Sequence, residues 1–284
     1  MGRTRSAAAS RSIATTAPRP FLKWAGGKTQ LLPALAGRTP ETFNTYFEPF
    51  LGGGALFFAT SPAPATVGDL NSELVNVYKA VRDAPEALLD ELKTLEPRKR
   101  EEEFFLAMRR KDPAELSSIE RAARMIFLNK TCYNGLWRVN SKGQFNVPFG
   151  DYTNPVLADP ENIRACSAAL EKARIVLGDY KKTLERAGAG DFVYLDPPYY
   201  PLTETSDFTG YTKETFGPQE QASLAKTFGE LDRRKCKVLL SNSDHPEIRV
   251  LYRDYNIFKV SARRAINSKG GSRGPITELL ITNY

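Results

Sequence analysis

The sequence predicts an α/β fold: a mostly parallel sheet covered by helices on both faces, with a mainly helical subdomain inserted into it. Short apolar stretches alternate with stretches of helical spacing, which is the pattern of parallel strands joined by crossover helices. The middle of the chain lacks these strand signals. The predicted strands lie at residues 46–50, 65–69, 175–177, 192–195, 238–240, 257–260 and 279–282.

The first half of the sheet begins with an apolar stretch that continues into Gly52, Gly53 and Gly54 and then into residues 55–58. This order predicts a strand, a tight glycine turn and a helix. The next strand ends at Asp69, and apolar residues then recur at the spacing of one helical face. Those residues are Leu74, Val77, Tyr78 and Val81.

Residues 82–165 are predicted to form the inserted subdomain, which leaves residues 21–81 and 166–284 for the main domain. The insert contains charge-rich segments of helical spacing, followed by a polar and aromatic stretch with few helix-compatible runs. We therefore expect helices that carry an exposed loop. The helical segments lie at residues 86–95, 101–110 and 119–127, and the loop lies at residues 129–152.

Strand signals resume after the insert and alternate again with helices, of which residues 218–233 give the longest. The last two strands are separated by a loop that is too short for a helical crossover. Because parallel neighbours need such a crossover, these two strands are predicted to be antiparallel.

The net charge of +7 is a weak argument for a nucleic-acid partner, because the first twenty residues contribute four arginines and no acid. Residues 1–20 lack the apolar core of a secretory signal and predict a disordered basic tail. No apolar run approaches the ~18 residues of a membrane span, so no membrane partner is expected. Three cysteines without a CxxC pair and one histidine offer no zinc site, so no metal is expected.

The glycine turn suits a ligand, because Gly52 and Gly54 let it approach the backbone and expose amides at a helix N-terminus. A dinucleotide fingerprint would require a third glycine where Phe57 stands. Asp69 follows the next strand, where an acid commonly binds ribose hydroxyls. The pattern therefore predicts a nucleoside cofactor without a pyrophosphate, and a purely structural turn is the alternative.

The segment from Phe21 to Thr29 ends in Gly-Lys-Thr, which resembles the end of a phosphate-binding loop. That loop requires glycine at the position of Leu22, so the spacing excludes an ATP site of this type. Trp24 and Lys28 beside glycines could still bind an aromatic ring and a carboxylate. An ordinary loop before a helix is the alternative.

The run Asp196-Pro197-Pro198-Tyr199 directly follows a predicted strand. Two prolines make a rigid extended turn and remove two backbone donors. The Asp196 carboxylate and the Pro197 carbonyl are then fixed acceptors at the sheet edge, where an amine could donate both of its hydrogens. Tyr199 offers a stacking face to a base. This run predicts chemistry at an amino group rather than a structural turn.

Six motifs together resemble those of the Dam-type DNA adenine-N6 methyltransferases of the alpha group, in the order of that family and over nearly all of residues 21–284. The resemblance implies a Rossmann-like methyltransferase sheet with a reversed last strand, and a helical target-recognition insert before DPPY. The motifs are FLKWAGGK (21–28), FEPFLGGGALFF (47–58), GDLN (68–71), YNGLWRVNSKGQFNVPFG (133–150), DFVYLDPPY (191–199) and LSNSD (240–244).

The resemblance implies S-adenosyl-L-methionine as the methyl donor and no metal. Direct transfer to nitrogen would then occur at Asp196, Pro197, Pro198 and Tyr199, on an adenine flipped out of the duplex. Asp179 would face the cofactor adenine, although a solvated turn acid is an equal alternative. The residues matching the family's cofactor site are Trp24, Lys28, Phe50, Gly52, Gly54, Asp69 and Asp196.

The resemblance also implies a double-stranded DNA partner and GATC as its target. Arg138 matches the arginine that reads a guanine edge, a contact worth about 1–3 kcal/mol of discrimination. One position departs from the family: Asp151 follows Pro-Phe-Gly where close relatives often have a basic residue, and a carboxylate repels phosphate. The residues expected beside the duplex are Lys23, Tyr133, Asn134 and Leu136.

Alternative functions are methylation of another amine (cytosine N4 or an amine in RNA) and an inactive DNA-binding regulator. Asp196, where cytosine-N4 enzymes more often have serine, disfavours the first, and the intact DPPY run disfavours the second. A monomer in a reducing cytoplasm is expected. Residues 201–215 are expected to close over the base, and phosphate contacts are expected from Arg263, Arg264, Lys269 and Arg273.

Overall fold

A computed structural model describes residues 16–200, 216–262 and 276–284, and it contains one seven-stranded sheet in the order β3-β2-β1-β4-β5-β7-β6. All seven predicted strands are present. Their bounds are β1 Tyr46–Glu48, β2 Ala65–Asp69, β3 Ala173–Leu177, β4 Phe192–Leu195, β5 Lys237–Ser243, β6 Asn256–Ala262 and β7 Ile276–Thr282.

Strands β1 to β5 pair in parallel, and β7 lies antiparallel between β5 and β6. This confirms the mostly parallel sheet with a reversed last strand. The prediction for β1 was too long, because that strand stops at Glu48 rather than Phe50. Pro49 follows, and it has no N–H group with which to continue the ladder.

Ten helices are described, and together they cover both faces of the sheet. Along β1 and β4, Tyr46, Phe192 and Tyr194 belong to one hydrophobic cluster, whereas Phe47 and Val193 belong to the other. The helices are α1 Leu32–Ala36, α2 Ala55–Thr60, α3 Ser72–Asp83, α4 Pro85–Leu95, α5 Glu102–Arg110, α6 Ser118–Thr131, α7 Pro160–Leu170, α8 Tyr180–Leu184, α9 Pro218–Arg233 and α10 Pro246–Leu251.

The helix starts follow from local sequence. Asn71 caps α3 by accepting a hydrogen bond from the Leu74 amide, and Ser117 with Glu120 forms a capping box at α6. Proline opens α4, α7, α9 and α10, where its missing N–H costs nothing. The predicted starts of α4, α5, α6 and α9 lie within one residue of the observed ones.

The inserted helices α4, α5 and α6 share one continuous core with α3 and do not form a separate core. The predicted boundary at residue 166 falls within α7, which packs on α3, α4 and β3 alike. The Arg19 backbone amide and carbonyl both bond to the Asn162 side chain in α7. Residues 16–20 of the tail predicted for residues 1–20 thus lie against the fold, and residues 1–15 of it lie outside the described residues.

Candidate active site and DNA-binding surface

The candidate site lies at the carboxyl ends of β1 and β4, where the strand order changes direction. From β1 the chain continues through β2 to β3 on one side, and it returns to β4 on the other. Ligands of open α/β sheets bind in the crevice at such a switch point. The glycine turn after β1 and the DPPY turn after β4 therefore face a common crevice.

The glycine turn packs tightly against Trp24 and Tyr78. Gly52 and Gly54 have φ values of 48° and 67°, the left-handed region that side chains disfavour. A Cβ on Gly52 would lie 2.8 Å from the Trp24 ring, and one on Gly54 would lie 2.8 Å from the Tyr78 hydroxyl. Tyr78 also donates a hydrogen bond of 2.9 Å to the Gly52 carbonyl. Trp24 therefore packs directly against the turn.

Asp69 ends β2 and ties the neighbouring backbone to the glycine turn. Its Oδ2 accepts a 3.0 Å hydrogen bond from the Gly52 amide, and its Oδ1 accepts one of 2.9 Å from the Asn71 amide. Burial raises the pKa of this carboxyl above its ordinary value, and the amide donors partly offset the increase. Each oxygen retains a lone pair for a hydroxyl donor.

Asp196 is held by two donors on one oxygen. Lys28 Nζ lies 2.9 Å from Asp196 Oδ1, and the Ser241 hydroxyl donates to the same atom at 2.7 Å. Lys28 is only 6% exposed, so this pair is largely desolvated. Burial raises the pKa of Asp196, whereas Lys28 and Ser241 act in the opposite direction. Both donors reach Oδ1 rather than Oδ2, which fixes the plane of the carboxylate.

The rest of the DPPY turn is fastened to β5 and α9. Gln221 donates a 2.8 Å hydrogen bond to the Pro198 carbonyl, and the buried Asn242 amide donates to Gln221 at 3.0 Å. Asn242 Oδ1 also accepts from the Tyr200 amide, and Ser243 donates to the Tyr200 carbonyl. The LSNSD segment therefore supplies the bonds that hold this turn.

Tyr199 is oriented by two charged side chains. Its hydroxyl donates a 2.6 Å hydrogen bond to Glu278 Oε2 on β7, and Lys28 Nζ lies 4.5 Å from its ring centroid. Burial raises the pKa of Glu278, while Lys28 lowers it. The last tyrosine of the DPPY run is thus part of the same charged cluster as Asp196.

Glu48, the acid of the FEPF motif, is buried beneath this cluster. It is 2% exposed, and it accepts hydrogen bonds from the Tyr46 hydroxyl at 2.8 Å and from the Phe57 backbone at the start of α2. Burial raises its pKa to about 8, and the charge of Asp196 acts in the same direction. Glu48 is therefore mostly protonated at neutral pH.

Phe50 and Asp179 lie at the β3 side of the site. The Phe50 ring stacks on Tyr180, with centroids 5.6 Å apart, and meets Phe216 edge-on. Asp179 caps α8 through the Lys182 amide and is exposed. Phe50 thus contributes an aromatic wall, whereas the capping bond accounts for Asp179 without any ligand.

Four of the five predicted DNA-contacting residues, all except Lys23, lie on one loop after α6. Trp137 and Phe145 are buried with ring centroids 4.8 Å apart, and they anchor the loop to the insert. Tyr133, Asn134 and Arg138 are exposed on it. Arg138 Nε donates a 2.8 Å hydrogen bond to the Asn146 side chain, which holds the guanidinium outward on a short hairpin.

Lys23 joins this surface from the other side. Its backbone exchanges two hydrogen bonds with the Asn129 side chain, and its Nζ donates to the Tyr152 hydroxyl at 3.2 Å. Leu136 is only half-buried and packs against the core. The structure therefore brings Lys23 together with the loop that carries Arg138.

Two groups of predicted contacts fall outside the described residues: the segment 201–215, and Arg263, Arg264, Lys269 and Arg273. Within the described ranges, no cluster of potential metal ligands is present, and no helix is long and apolar enough to cross a membrane.

Several residues of the site were not predicted from the sequence. Ser241 and Asn242 lie in a quoted motif that received no role, and Glu48 lies in another. A buried acid within an apolar strand, as at Glu48 and Glu278, was the available signal. For Gln221, on a polar helix, no such signal existed.

Comparisons with known proteins agree with this geometry. The family model of the D12 class N6 adenine-specific DNA methyltransferases matches residues 24–266. The chain is 47% identical to the Type II methyltransferase M1.LlaDCHI of Lactococcus lactis, covering 94% of this chain and 95% of that protein. It is 42% identical to the Type II methyltransferase M.MjaIII of Methanocaldococcus jannaschii, covering 94% and 99%.

The DNA adenine methylase of Vibrio cholerae is 35% identical, with 92% of this chain and 95% of that protein covered. The matched residues include the glycine turn, the DPPY turn and the exposed loop after α6. The family to which these comparisons point acts on adenine in DNA. The chain belongs to the D12 class of N6 adenine-specific DNA methyltransferases.

Proposed function

We propose that this enzyme transfers a methyl group from S-adenosyl-L-methionine to N6 of an adenine that is flipped out of double-stranded DNA, within the sequence GATC. One observation carries the proposal: Asp196, fixed by Lys28 and Ser241, faces the same switch-point crevice as the glycine turn. A hydrogen-bond acceptor that suits an amine therefore lies beside a backbone turn that suits a nucleoside.

The cofactor fits the first half of this crevice. The left-handed backbone of Gly52 and Gly54 lets Trp24 pack directly on the turn, so that an aromatic ring lies beside the place proposed for the cofactor. Asp69 has lone pairs for ribose hydroxyls, and Phe50 adds an aromatic wall on the β3 side. When bound, S-adenosyl-L-methionine supplies an electrophilic methyl group. Because Lys28 pairs with Asp196, we expect it to act in the half of the crevice that binds the adenine amine and not on the cofactor carboxylate.

The adenine amine is expected to donate its two hydrogens to Asp196 and to the Pro197 carbonyl. Gln221 already occupies the Pro198 carbonyl, which leaves Pro197 as the neighbouring acceptor. These bonds direct the nitrogen lone pair toward the methyl group and stabilise the positive charge that develops on nitrogen. After transfer the amine would pass one proton to the Asp196 carboxylate or to solvent, the donor would leave as its thioether, and no covalent enzyme intermediate is needed. Tyr199 stacks on the base.

DNA reading is assigned to the loop after α6. Arg138, whose Nε bonds the Asn146 side chain, would bond a guanine edge in the major groove. Tyr133, Asn134 and Leu136 lie beside it on the loop. Lys23 reaches an outer base pair together with Tyr152. Asp151 is exposed next to Tyr152, and its charge weakens phosphate contacts on that flank.

The test incubates the purified enzyme with methyl-labelled S-adenosyl-L-methionine and with duplexes that contain GATC or carry one changed base pair. The DNA is digested and its nucleosides are separated. Label in N6-methyladenine from the GATC duplex alone is expected.

Equal labelling of the changed duplexes would refute GATC as the target while leaving the chemistry intact. An absence of label, with cofactor binding confirmed by calorimetry, would refute the proposed transfer.

A further inference from the structure

The hydrogen bond between Tyr199 and Glu278 links the DPPY turn to the reversed strand β7. In that strand Glu278 lies opposite Ser243 of β5 and Val260 of β6. Leu280, two residues later on the same strand face, belongs to the core on the side of Tyr194. Glu278 is therefore aimed from a central strand at the site and does not belong to a surface loop.

The bond restricts the Tyr199 ring in one respect only. The hydroxyl lies on the long axis of the side chain, so a bond of 2.6 Å to Glu278 fixes where the far end of the ring points. It does not set the rotation of the ring about that axis. Lys28 does so, because its ammonium lies over the ring at 4.5 Å from the centroid.

The Lys28 ammonium covers one face of the Tyr199 ring. A base that stacks on Tyr199 must therefore use the opposite face. The two contacts thus present one face of the ring to the crevice and hold it there. Without the Glu278 contact the ring would have to be ordered by the base itself, at an entropic cost that lowers the population of stacked base.

We propose that Glu278 is a positioning residue for methyl transfer, which holds Tyr199 in the orientation that stacks on the flipped adenine. The proposal rests on the proposed function, because it takes Tyr199 as the stacking partner. Glu278 acts through the hydrogen bond that it accepts from the Tyr199 hydroxyl.

The experiment measures kcat, the KM for DNA and the cofactor Kd of Glu278→Leu, Glu278→Gln and Tyr199→Phe. Leucine removes the acceptor, and phenylalanine removes the donor but keeps the ring. We expect both to lower kcat about tenfold, the effect of one lost bond of this kind, with the cofactor Kd changed less than about twofold. Because glutamine loses the charge but keeps an acceptor oxygen, Glu278→Gln should recover most of the activity that leucine loses.

A double variant, Tyr199→Phe with Glu278→Leu, should be no slower than either single variant, since both remove the same bond. Additive losses, or equal losses for glutamine and leucine, would overturn the proposal. If a thermal melt shows that Glu278→Leu does not fold, Tyr199→Phe and Glu278→Gln still test the role of Glu278. An unchanged kcat for Tyr199→Phe would overturn that role.

Tyr199→Ala separates this inference from the function on which it rests. If Tyr199→Ala is severely slowed while Tyr199→Phe and Glu278→Leu are not, stacking stands and the role of Glu278 is refuted. If Tyr199→Ala methylates as fast as the natural enzyme, the stacking role in the proposed function is refuted as well.

Discussion

Lys28 Nζ lies 2.9 Å from Asp196 Oδ1, which pairs a buried lysine of the first glycine-rich segment with the first residue of the DPPY turn. Lys28 also donates to the Gly26 carbonyl and covers the Tyr199 ring. One ammonium therefore organises the acceptor half of the site. These three contacts make the burial of Lys28 possible, because an ammonium group that is buried without partners costs much free energy.

Replacing Lys28 by methionine should move the pH profile of methylation. Lys28 opposes the burial that raises the pKa of Asp196, so its loss raises that pKa further. The amine needs the ionised carboxylate, and the acidic limb of kcat should therefore move to higher pH. We also expect kcat at neutral pH to fall about a hundredfold, as for a broken buried ion pair. A profile that superimposes on that of the natural enzyme would contradict this role.

Gly52→Ala should weaken cofactor binding. The added Cβ would lie 2.8 Å from Trp24 Cδ1, at a φ of 48° that alanine disfavours. We expect the cofactor Kd to rise at least about tenfold, together with a lower Tm. Gly188→Ala is the matched control, because a Cβ there meets nothing within 4 Å. If the two variants show the same cofactor Kd in calorimetry, the glycine turn is not part of the cofactor site.

Glu48→Gln should change the dependence of stability on pH. Burial raises the folded-state pKa of Glu48 to about 8, so the folded protein keeps this proton to higher pH than the unfolded chain. The contribution of Glu48 to folding is thus complete below its unfolded pKa of 4.5 and is lost as pH rises to about 8.

Relative to Glu48→Gln, the natural enzyme should therefore lose a few kcal/mol of unfolding free energy across that window, as measured by urea unfolding. Glu230→Gln, at an exposed position on α9, controls for a change of surface charge. Parallel stability curves for the natural enzyme and Glu48→Gln would show that Glu48 is not protonated in the fold.

Arg138→Ala should relax base specificity. We expect discrimination against a changed guanine pair to fall by about 1–3 kcal/mol in kcat/KM, the worth of one bidentate arginine contact. Lys142→Ala, in the exposed turn of the same hairpin, should instead weaken all duplexes alike. If Arg138→Ala slows every duplex equally, Arg138 contacts phosphate rather than a base.

Much of this architecture could be predicted from the sequence. The strands and most of the long helices follow from periodicity and glycine positions, and the motif resemblance joins Trp24 and Gly52 in one site. The contacts of Lys28 and Glu278 could not be predicted, because they join segments far apart in sequence through a shared charge cluster. Nor does periodicity show that the inserted helices share the core of α3, since their apolar faces suit any neighbour.

Single-turnover methyl transfer by Asp196→Asn tests the central claim most directly. Asparagine keeps the shape of the side chain but removes the charged acceptor that Lys28 and Ser241 fix. At saturating cofactor and DNA, we predict a rate of N6-methyladenine formation about 10²–10³-fold below that of the natural enzyme, with the cofactor still bound. A rate within about threefold of the natural one would contradict the assignment of Asp196 as the acceptor that positions the adenine amine.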